Sequence, residues 1–224
     1  MIAQILFFLL FTESVLLFVR NIKKIIRNVQ LGRPVDRNDQ PGKRWMTMVK
    51  VALGQSKMVT RPVAGIMHIF VYVGFVIINI EVLEIIMDGL LGTHRSFAVI
   101  GSLYNVLIGS FEILALLVLV GVIVFLARRN VLRLKRFHMR ELTKWPLTDA
   151  TIILVTEILL MSAFLLMNAS DQLLQSREVG HYIHAGAFPV SSLITPMLSC
   201  MSDGSLELLE RGCWWFHIIG ILAF

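Results

Sequence analysis

The chain alternates long apolar runs with polar segments. Four runs approach or exceed the length of about 20 residues that a helix needs to cross a bilayer. They lie near residues 2–19, 63–87, 100–127 and 150–168. A fifth run begins near residue 213 and reaches residue 224, which is about half a span. This pattern predicts an all-α, polytopic transmembrane helix bundle with four full spans and an incomplete fifth.

The composition agrees with this pattern and excludes an ordinary soluble domain. Hydrophobic residues make up 56% of the 224 residues and charged residues only 16%, and the mean hydropathy is +0.75. Such values are typical of integral membrane proteins. A helix that stopped at mid-bilayer would leave a carboxylate and unpaired carbonyl groups in hydrocarbon. We therefore expect the chain to be a fragment whose fifth helix continues.

Basic residues are concentrated in two of the segments between spans. Eleven of the 21 Lys and Arg residues lie within residues 20–62 and seven within residues 128–147. By the positive-inside rule these are the inner, cytoplasmic loops. The N-terminus and the segments 88–99 and 169–212 are then expected outside. The net charge of +6 reflects membrane topology, so no nucleic-acid partner is expected.

The first inner loop has two parts. Its centre, GRPVDRNDQPGKRW, is polar and contains Gly and Pro, which predicts an irregular backbone. The next stretch, RWMTMVKVALGQSKM, places Trp45, Met46, Val49 and Leu53 at helix-like spacing with lysines elsewhere. We expect this stretch to form an amphipathic helix at the membrane interface, in contact with lipid.

The candidate chemistry of the chain lies in its histidines. His68 stands about six residues into the second span from the inner side, and His217 a similar distance into the fifth from the outer side. One buried histidine in each leaflet suggests two stacked redox centres, because haem iron takes axial histidines from facing helices. The alternatives are a hydrogen bond between helices or a contact with quinone.

Three of the four remaining histidines are candidate partners for an outer haem. His94 follows the second span on the outer side, near the expected depth of His217, and is the best partner within the chain for an outer haem. His181 and His184 in the long outer segment are alternatives, and an exposed loop position is the simpler interpretation of each. His138 lies in a basic inner loop and is expected at the surface.

Polar residues within the spans give two more expectations. Tyr72, Phe75 and Asn79 share a helix face with His68, which predicts that this stripe faces the bundle interior. Carboxylates are costly inside a membrane and often mark a proton or quinone path, with helix-packing hydrogen bonds as the alternative. Such carboxylates are Glu13, Glu81, Glu112 and Glu157.

The five-span plan resembles two known membrane subunits. With His68 early in RPVAGIMHIFVYVGFVIINIEVLEII and His217 early in WWFHIIGILAF, it resembles the cytochrome b (gamma) subunit of respiratory nitrate reductase and the membrane subunit of heterodisulfide reductase. Together with IRNVQLGRPVDRNDQPGKRW, it is similar to the N-terminal membrane region of bacterial Fe–S oxidoreductases. In those proteins a cytoplasmic domain with ferredoxin-type clusters and CCG repeats follows the last helix. The resemblance covers residues 1–224 and implies 4Fe-4S clusters only in the part that would follow.

The nitrate reductase pattern also implies a ligand set. In that pattern two b haems lie between helices two and five, and each haem is held by one histidine from helix two and one from helix five. His68 matches the inner-haem ligand and His217 the outer-haem ligand. The second histidine expected on helix two is absent, since Ile77, Ile78 and Asn79 stand there. His94 or a loop histidine would have to complete the outer haem, and the second histidine of helix five would lie after residue 224.

These expectations combine into one function. The chain is predicted to be the membrane electron-transfer module of an oxidoreductase in the bacterial inner (cytoplasmic) membrane. It would pass electrons between the quinone pool and a cytoplasmic iron–sulfur domain or subunit through one or two b-type haems, and is not expected to be a complete enzyme alone. The alternative is a non-redox membrane anchor. A small transporter is disfavoured because no inverted repeat or broken helix pair is apparent.

Overall fold

The computed structural model describes residues 2–36, 38–56, 58, 61–134, 137, 139, 142 and 144–223. In this part of the chain the regular structure is helical throughout and no strand occurs. The α-helices are α1 (Ile2–Gln30), α2 (Pro41–Met48), α3 (Pro62–Leu91), α4 (Ser102–Asn130), α5 (Trp145–Ser176), α6 (Thr195–Leu198) and α7 (Asp203–Ala223). The predicted all-α, polytopic fold is confirmed.

Four of these helices, α1, α3, α4 and α5, are long and apolar enough to cross a membrane. Each of the four predicted spans has a helix that extends beyond it at one or both ends. The additional residues are mostly polar. They remain helical because a helix continues past the hydrocarbon layer wherever its backbone bonds and packing are maintained. Helices of this length and composition are those of a multi-pass membrane protein.

By internal contacts the chain forms two units, and the first is Met1–Gly65. It contains α1, an irregular segment over residues 31–40, and α2. A π-helical turn, Val49–Leu53, continues α2 directly, and it is closed by the Gly54 N–H, which donates to the Val49 carbonyl at 2.7 Å. The irregular backbone predicted for the loop centre is found up to residue 40, but the prediction is wrong for its last five residues, which begin α2 at Pro41. The predicted helix over the next stretch is confirmed as far as Leu53.

The second unit, Ile66–Phe224, holds the helix bundle. Helices α5 and α7 run antiparallel and form the most extensive contact, and α4 also packs against α5. Helices α3 and α4 approach closely at two glycines. A Cβ at Gly121 would lie 3.3 Å from the Met67 carbonyl oxygen, and a Cβ at Gly74 would collide with the Val118 side chain. Small residues therefore set the spacing of this pair.

Helix α7 begins at Asp203, ten residues before the predicted fifth apolar run. These residues, DGSLELLERG, are too polar for a span, but Leu206 is fully buried against Leu173, Leu174 and Tyr182. An amphipathic packing face, and not hydropathy, extends the helix here. Arg177 secures the preceding loop, since its guanidinium donates to the carbonyls of Met201 and Ser199 and to Asp203 at 2.6–2.9 Å.

Candidate functional site

His217 lies on the face of α7 that packs against α5 and is only 2% exposed. Its Nδ1 is 3.1 Å from the carbonyl oxygen of Leu160. Because a carbonyl only accepts, Nδ1 carries the proton, and Nε2 of the neutral ring holds the free lone pair. The Phe164 ring stands beside the imidazole at 6.0 Å between centroids. The side chain is thus oriented as metal-bound histidines are, with one nitrogen fixed by a backbone acceptor.

Gly220, one turn after His217, is in van der Waals contact with α5. A Cβ at this position would lie 2.6 Å from Cδ2 of Leu160, so the Leu160 side chain fills the groove that the glycine leaves. The glycine therefore serves close packing between α5 and α7.

His217 is level with Leu160, halfway along α5, whereas His94 is level with Asp171 near the end of α5. Eleven residues separate the two levels, which is about 16 Å along a helix axis. The structure therefore does not bring His94 and His217 together. His68 is half-buried on α3, with the Tyr72 ring stacked one turn away at 6.4 Å. The ligand roles of His68, His94 and His217 stay predictions.

The stripe that starts at His68 does not face the bundle interior as predicted. Phe75 is 68% exposed, and the Asn79 amide donates to the Phe75 carbonyl of its own helix at 2.5 Å. The buried face of α3 instead passes through Ile78, Glu81 and Ile85. Helical phase shows which residues share a face but not which face is buried. The buried face of α3 is the one that carries its carboxylates, which have more buried partners than the stripe has.

A buried polar cluster occupies the end of the bundle where α3 and α5 end and α4 begins. We define the polar cluster as Glu81, Glu84, His94, Arg95, Tyr104 and Asp171. Its centre is Arg95, in the loop after α3. The Arg95 guanidinium donates to Asp171 Oδ2 at 2.6 Å, to the Tyr104 hydroxyl at 3.1 Å and to the Asn168 side chain at 3.0 Å. All guanidinium nitrogens are thereby satisfied in a buried position.

The charge of Arg95 is stabilised by these neighbours. Burial opposes the charged form, but the carboxylate of Asp171 and the Tyr104 side chain outweigh it, so the pKa of Arg95 lies above its ordinary value. The ring of Phe188 also stands 5.1 Å from the guanidinium carbon, at cation–π distance. Arg95 is therefore a permanent buried cation.

Carboxylates of α3 shape the loop that carries Arg95. Asp88 accepts hydrogen bonds from the backbone N–H of Arg95 at 2.9 Å and of Ser96 at 3.1 Å. Glu84 accepts from the Phe97 N–H at 2.8 Å and from the Tyr104 hydroxyl at 2.9 Å. These bonds hold Arg95 in its left-handed conformation, φ 54°, which few residues without a local acceptor adopt.

His94 lies on the other side of Asp171. Its Nε2 is 3.5 Å from Asp171 Oδ1, and its ring contacts the rings of His181 and Tyr182 at 5.4 and 5.0 Å between centroids. Burial, followed by the positive charges of His94 and Arg211, lowers the pKa of His181. Burial and the charge of Glu210, to which the Tyr182 hydroxyl donates at 3.1 Å, raise the pKa of Tyr182.

Three buried polar atoms of the polar cluster have no hydrogen-bond partner among the described residues: Glu81 Oε2, His94 Nδ1 and Asp171 Oδ1. Their residues line a small cavity of about 30 Å³ together with Glu210, Arg211 and Trp214. That volume accommodates one or two water-sized groups. The cavity therefore offers unused acceptors, and a histidine nitrogen, to a hydrogen-bonding group.

Glu112 has a separate role on α4. Its carboxylate accepts from the backbone N–H groups of Val190 and Ser191 at 2.9 and 3.1 Å and from the Asn168 amide at 3.2 Å. It therefore joins the loop before α6 to the bundle, which agrees with the packing interpretation of this carboxylate. Glu157 is half-buried on α5.

Within the described ranges, no group of three or more His, Cys, Asp or Glu side chains is arranged to hold a metal ion. Cys200 and Cys213 are free thiols, and His138 lies outside the described residues. Sequence reasoning missed Arg95 and Asp171 as the centre of the polar cluster. The sequence does offer one indication, because Arg95 is one of only three Lys and Arg residues that lie outside the two basic loops.

Comparison with known proteins gives one informative relative. The chain is 26% identical over 226 residues to the Probable iron-sulfur-binding oxidoreductase FadF of Bacillus subtilis (strain 168), and the alignment covers 100% of this chain but 30% of that protein. No protein-family model matches the chain, and no solved structure matches it significantly. The chain spans less than a third of the relative's length. This similarity supports a relationship to iron–sulfur oxidoreductases.

Proposed function

We propose that the chain is the membrane module of an iron–sulfur oxidoreductase and exchanges electrons between the quinone pool and an iron–sulfur domain or subunit. The relationship to an iron–sulfur-binding oxidoreductase supports the electron-transfer role. With two cysteines, the chain has too few thiolates for a four-cysteine cluster, so the clusters belong to protein outside these 224 residues. In this proposal the partner is on the cytoplasmic side of a bacterial inner membrane, the side to which the positive-inside rule assigns the two basic loops.

The observation that carries the haem proposal is the orientation of His217. Its Nδ1 proton is committed to the Leu160 carbonyl, so Nε2 is the nitrogen available for ligation. A b-type haem, when bound, supplies one-electron transfer between partners. His217 would hold one such group from α7, and His68 a second group nearer the start of α3. The chain's own part is to fix the imidazole tautomer and to exclude water from the ring.

The polar cluster is the proposed acceptor of a quinol hydroxyl, because its cavity of about 30 Å³ accommodates a hydroxyl group and not the ring. Quinol oxidation releases protons, and its hydroxyl groups need acceptors. Glu81 Oε2 and Asp171 Oδ1 are buried acceptors that receive no hydrogen bond from the described residues, and both residues line the cavity. His94 contributes a third unpaired atom and contacts His181. A hydroxyl that satisfied these atoms would remove the cost of burying them unpaired.

Reduced-minus-oxidised visible spectra of the full-length protein in nanodiscs test the haem proposal. His217→Gln keeps an N–H donor for Leu160 but removes the imidazole, and His184→Gln is the matched control at an exposed position. We expect His217→Gln to lose one b-type centre and His184→Gln to lose none. A folded protein without any b-type band would contradict the haem proposal and favour the non-redox anchor.

Quinol-driven reduction of the same protein tests the polar cluster. Glu81→Gln removes a buried carboxyl group that can take up a proton, and Glu157→Gln is the control, a half-buried carboxyl on another helix. We expect the first variant to slow reduction by quinol at least about tenfold, as loss of a proton-accepting group does, while dithionite still reduces it fully. Equal rates in the two variants would contradict this location.

A further inference from the structure

The segment Pro41–Leu53 is a helical stretch that is exposed along its whole length. Helix α2 and the π-helical turn together supply 13 residues, and every one of them is exposed. Isolated helices shorter than about 12–15 residues are marginal in water. A helix of this length therefore needs a surface to lie on.

The two faces of this segment differ in chemistry. Trp45, Met48, Val49 and Ala52 follow one another at helical spacing and form an apolar stripe, with Met46 and Leu53 beside it. Trp45 is 65% exposed and Met46 68%. Lys43, Thr47 and Lys50 form the opposite stripe. An apolar face opposite a basic face is typical of a helix that lies at the boundary between an apolar and a charged layer.

The charged residues from the start of the segment to residue 80 are all basic. No Asp or Glu occurs between residues 40 and 80, while five Lys and Arg residues do. The nearest carboxylate is that of Asp39, which lies 4.0 Å from the Arg44 guanidinium. A positive, amphipathic surface complements anionic lipid headgroups, whose negative potential falls off within a Debye length of the membrane.

The covalent chain also holds the segment at a membrane surface. Ten residues join it to α1 and eight join it to α3, and both of these helices are long and apolar enough to span. A loop between consecutive spans starts and ends on the same side of the bilayer. Short tethers at both ends give the segment a high local concentration near lipid.

We infer that residues 41–53 form a docking surface for anionic phospholipid headgroups. The stripe through Trp45 and Val49 enters the boundary of the acyl chains, and Lys43 and Lys50 contact the lipid phosphates. This inference concerns the lipid contacts of the first unit and does not depend on the proposed electron transfer.

Hydrogen exchange of the full-length protein in nanodiscs tests the inference. Nanodiscs of phosphatidylcholine alone are compared with nanodiscs that also contain phosphatidylglycerol. We expect the amides of residues 43–54 to exchange at least about tenfold more slowly with the anionic lipid, because lipid contact suppresses local unfolding of the helix. The amides of α5 serve as the internal control for folding.

Charge variants identify the groups responsible. The Lys43→Gln/Lys50→Gln double variant should lose the difference between the two lipids, whereas Lys23→Gln/Lys24→Gln, on exposed positions of α1, should keep it. Protection that is equal in both lipids would show no preference for anionic headgroups and would overturn the inference. Rapid exchange in both lipids, with α5 still protected, would overturn it as well.

Discussion

The Nε of Arg95 donates to Oδ2 of Asp171 at 2.6 Å, which joins residues 76 positions apart in the chain. The two side chains are 8% and 2% exposed, so each charge depends on the other. We expect Asp171→Leu to lower the free energy of unfolding by about 3–5 kcal/mol, because a buried cation loses its partner. The Arg95→Met/Asp171→Leu double variant should recover most of this loss.

Reversible unfolding in mixed detergent micelles measures both changes. The control is Asp203→Asn, which breaks the more exposed ion pair with Arg177 and should cost at most about 1 kcal/mol. If the double variant were no more stable than Asp171→Leu, the buried charge would not be the cause of the loss.

The second prediction concerns the fully buried Glu112. Its replacement by alanine leaves the N–H groups of Val190 and Ser191 without their acceptor. Each buried group left unpaired costs about 1–3 kcal/mol. We expect hydrogen exchange at residues 190 and 191 to accelerate, while Glu157→Ala leaves it unchanged. Unaltered exchange in Glu112→Ala would show that other contacts hold this loop.

The third prediction concerns the contact between α3 and α4. Gly74→Ala places a methyl group against the Val118 side chain, which has little rotamer freedom on a helix. Overpacking of this kind costs about 1–3 kcal/mol, and Val118→Ala in the same chain should restore stability. Gly212→Ala is the control, because nothing lies within 4 Å of the added Cβ. It should be neutral or stabilising in the same unfolding assay, since alanine favours a helix.

The fourth prediction is a pH dependence. His181 has its pKa lowered from 6.5, and the charged groups around it are His94, Arg211, Glu207 and Asp171. As the pH falls below the pKa that His181 has in the unfolded chain, the unfolded chain takes up a proton that the folded chain does not. Stability should therefore decrease as the pH falls from 6.5. Unfolding midpoints measured through this range should decrease less in His181→Gln, and an unchanged slope would contradict the assignment.

Much of the fold follows from hydropathy, but the site does so only in part. The four long spans are set by apolar length, which is local information. The start of α7 at Asp203 depends on the burial of Leu206 against α5, and the exposure of Phe75 depends on which face of α3 meets α4. Neither is encoded in the segment itself.

The polar cluster illustrates the same limit. The sequence indicates Glu81 because a carboxylate inside an apolar run is costly. Asp171 lies at the polar end of its helix, where an acidic residue is common and gives no such signal. Its importance arises only when the loop after α3 brings Arg95 against it. Pairings across such a separation are tertiary information.

Helix α7 carries Glu210 and His217 seven residues apart, with both side chains buried. That spacing is two helical turns, about 10 Å along a single rod. Glu210 lines the cavity beside Glu81 and His94. Because both side chains belong to one helix, any shift of α7 as a whole would move the imidazole and the wall of this cavity together.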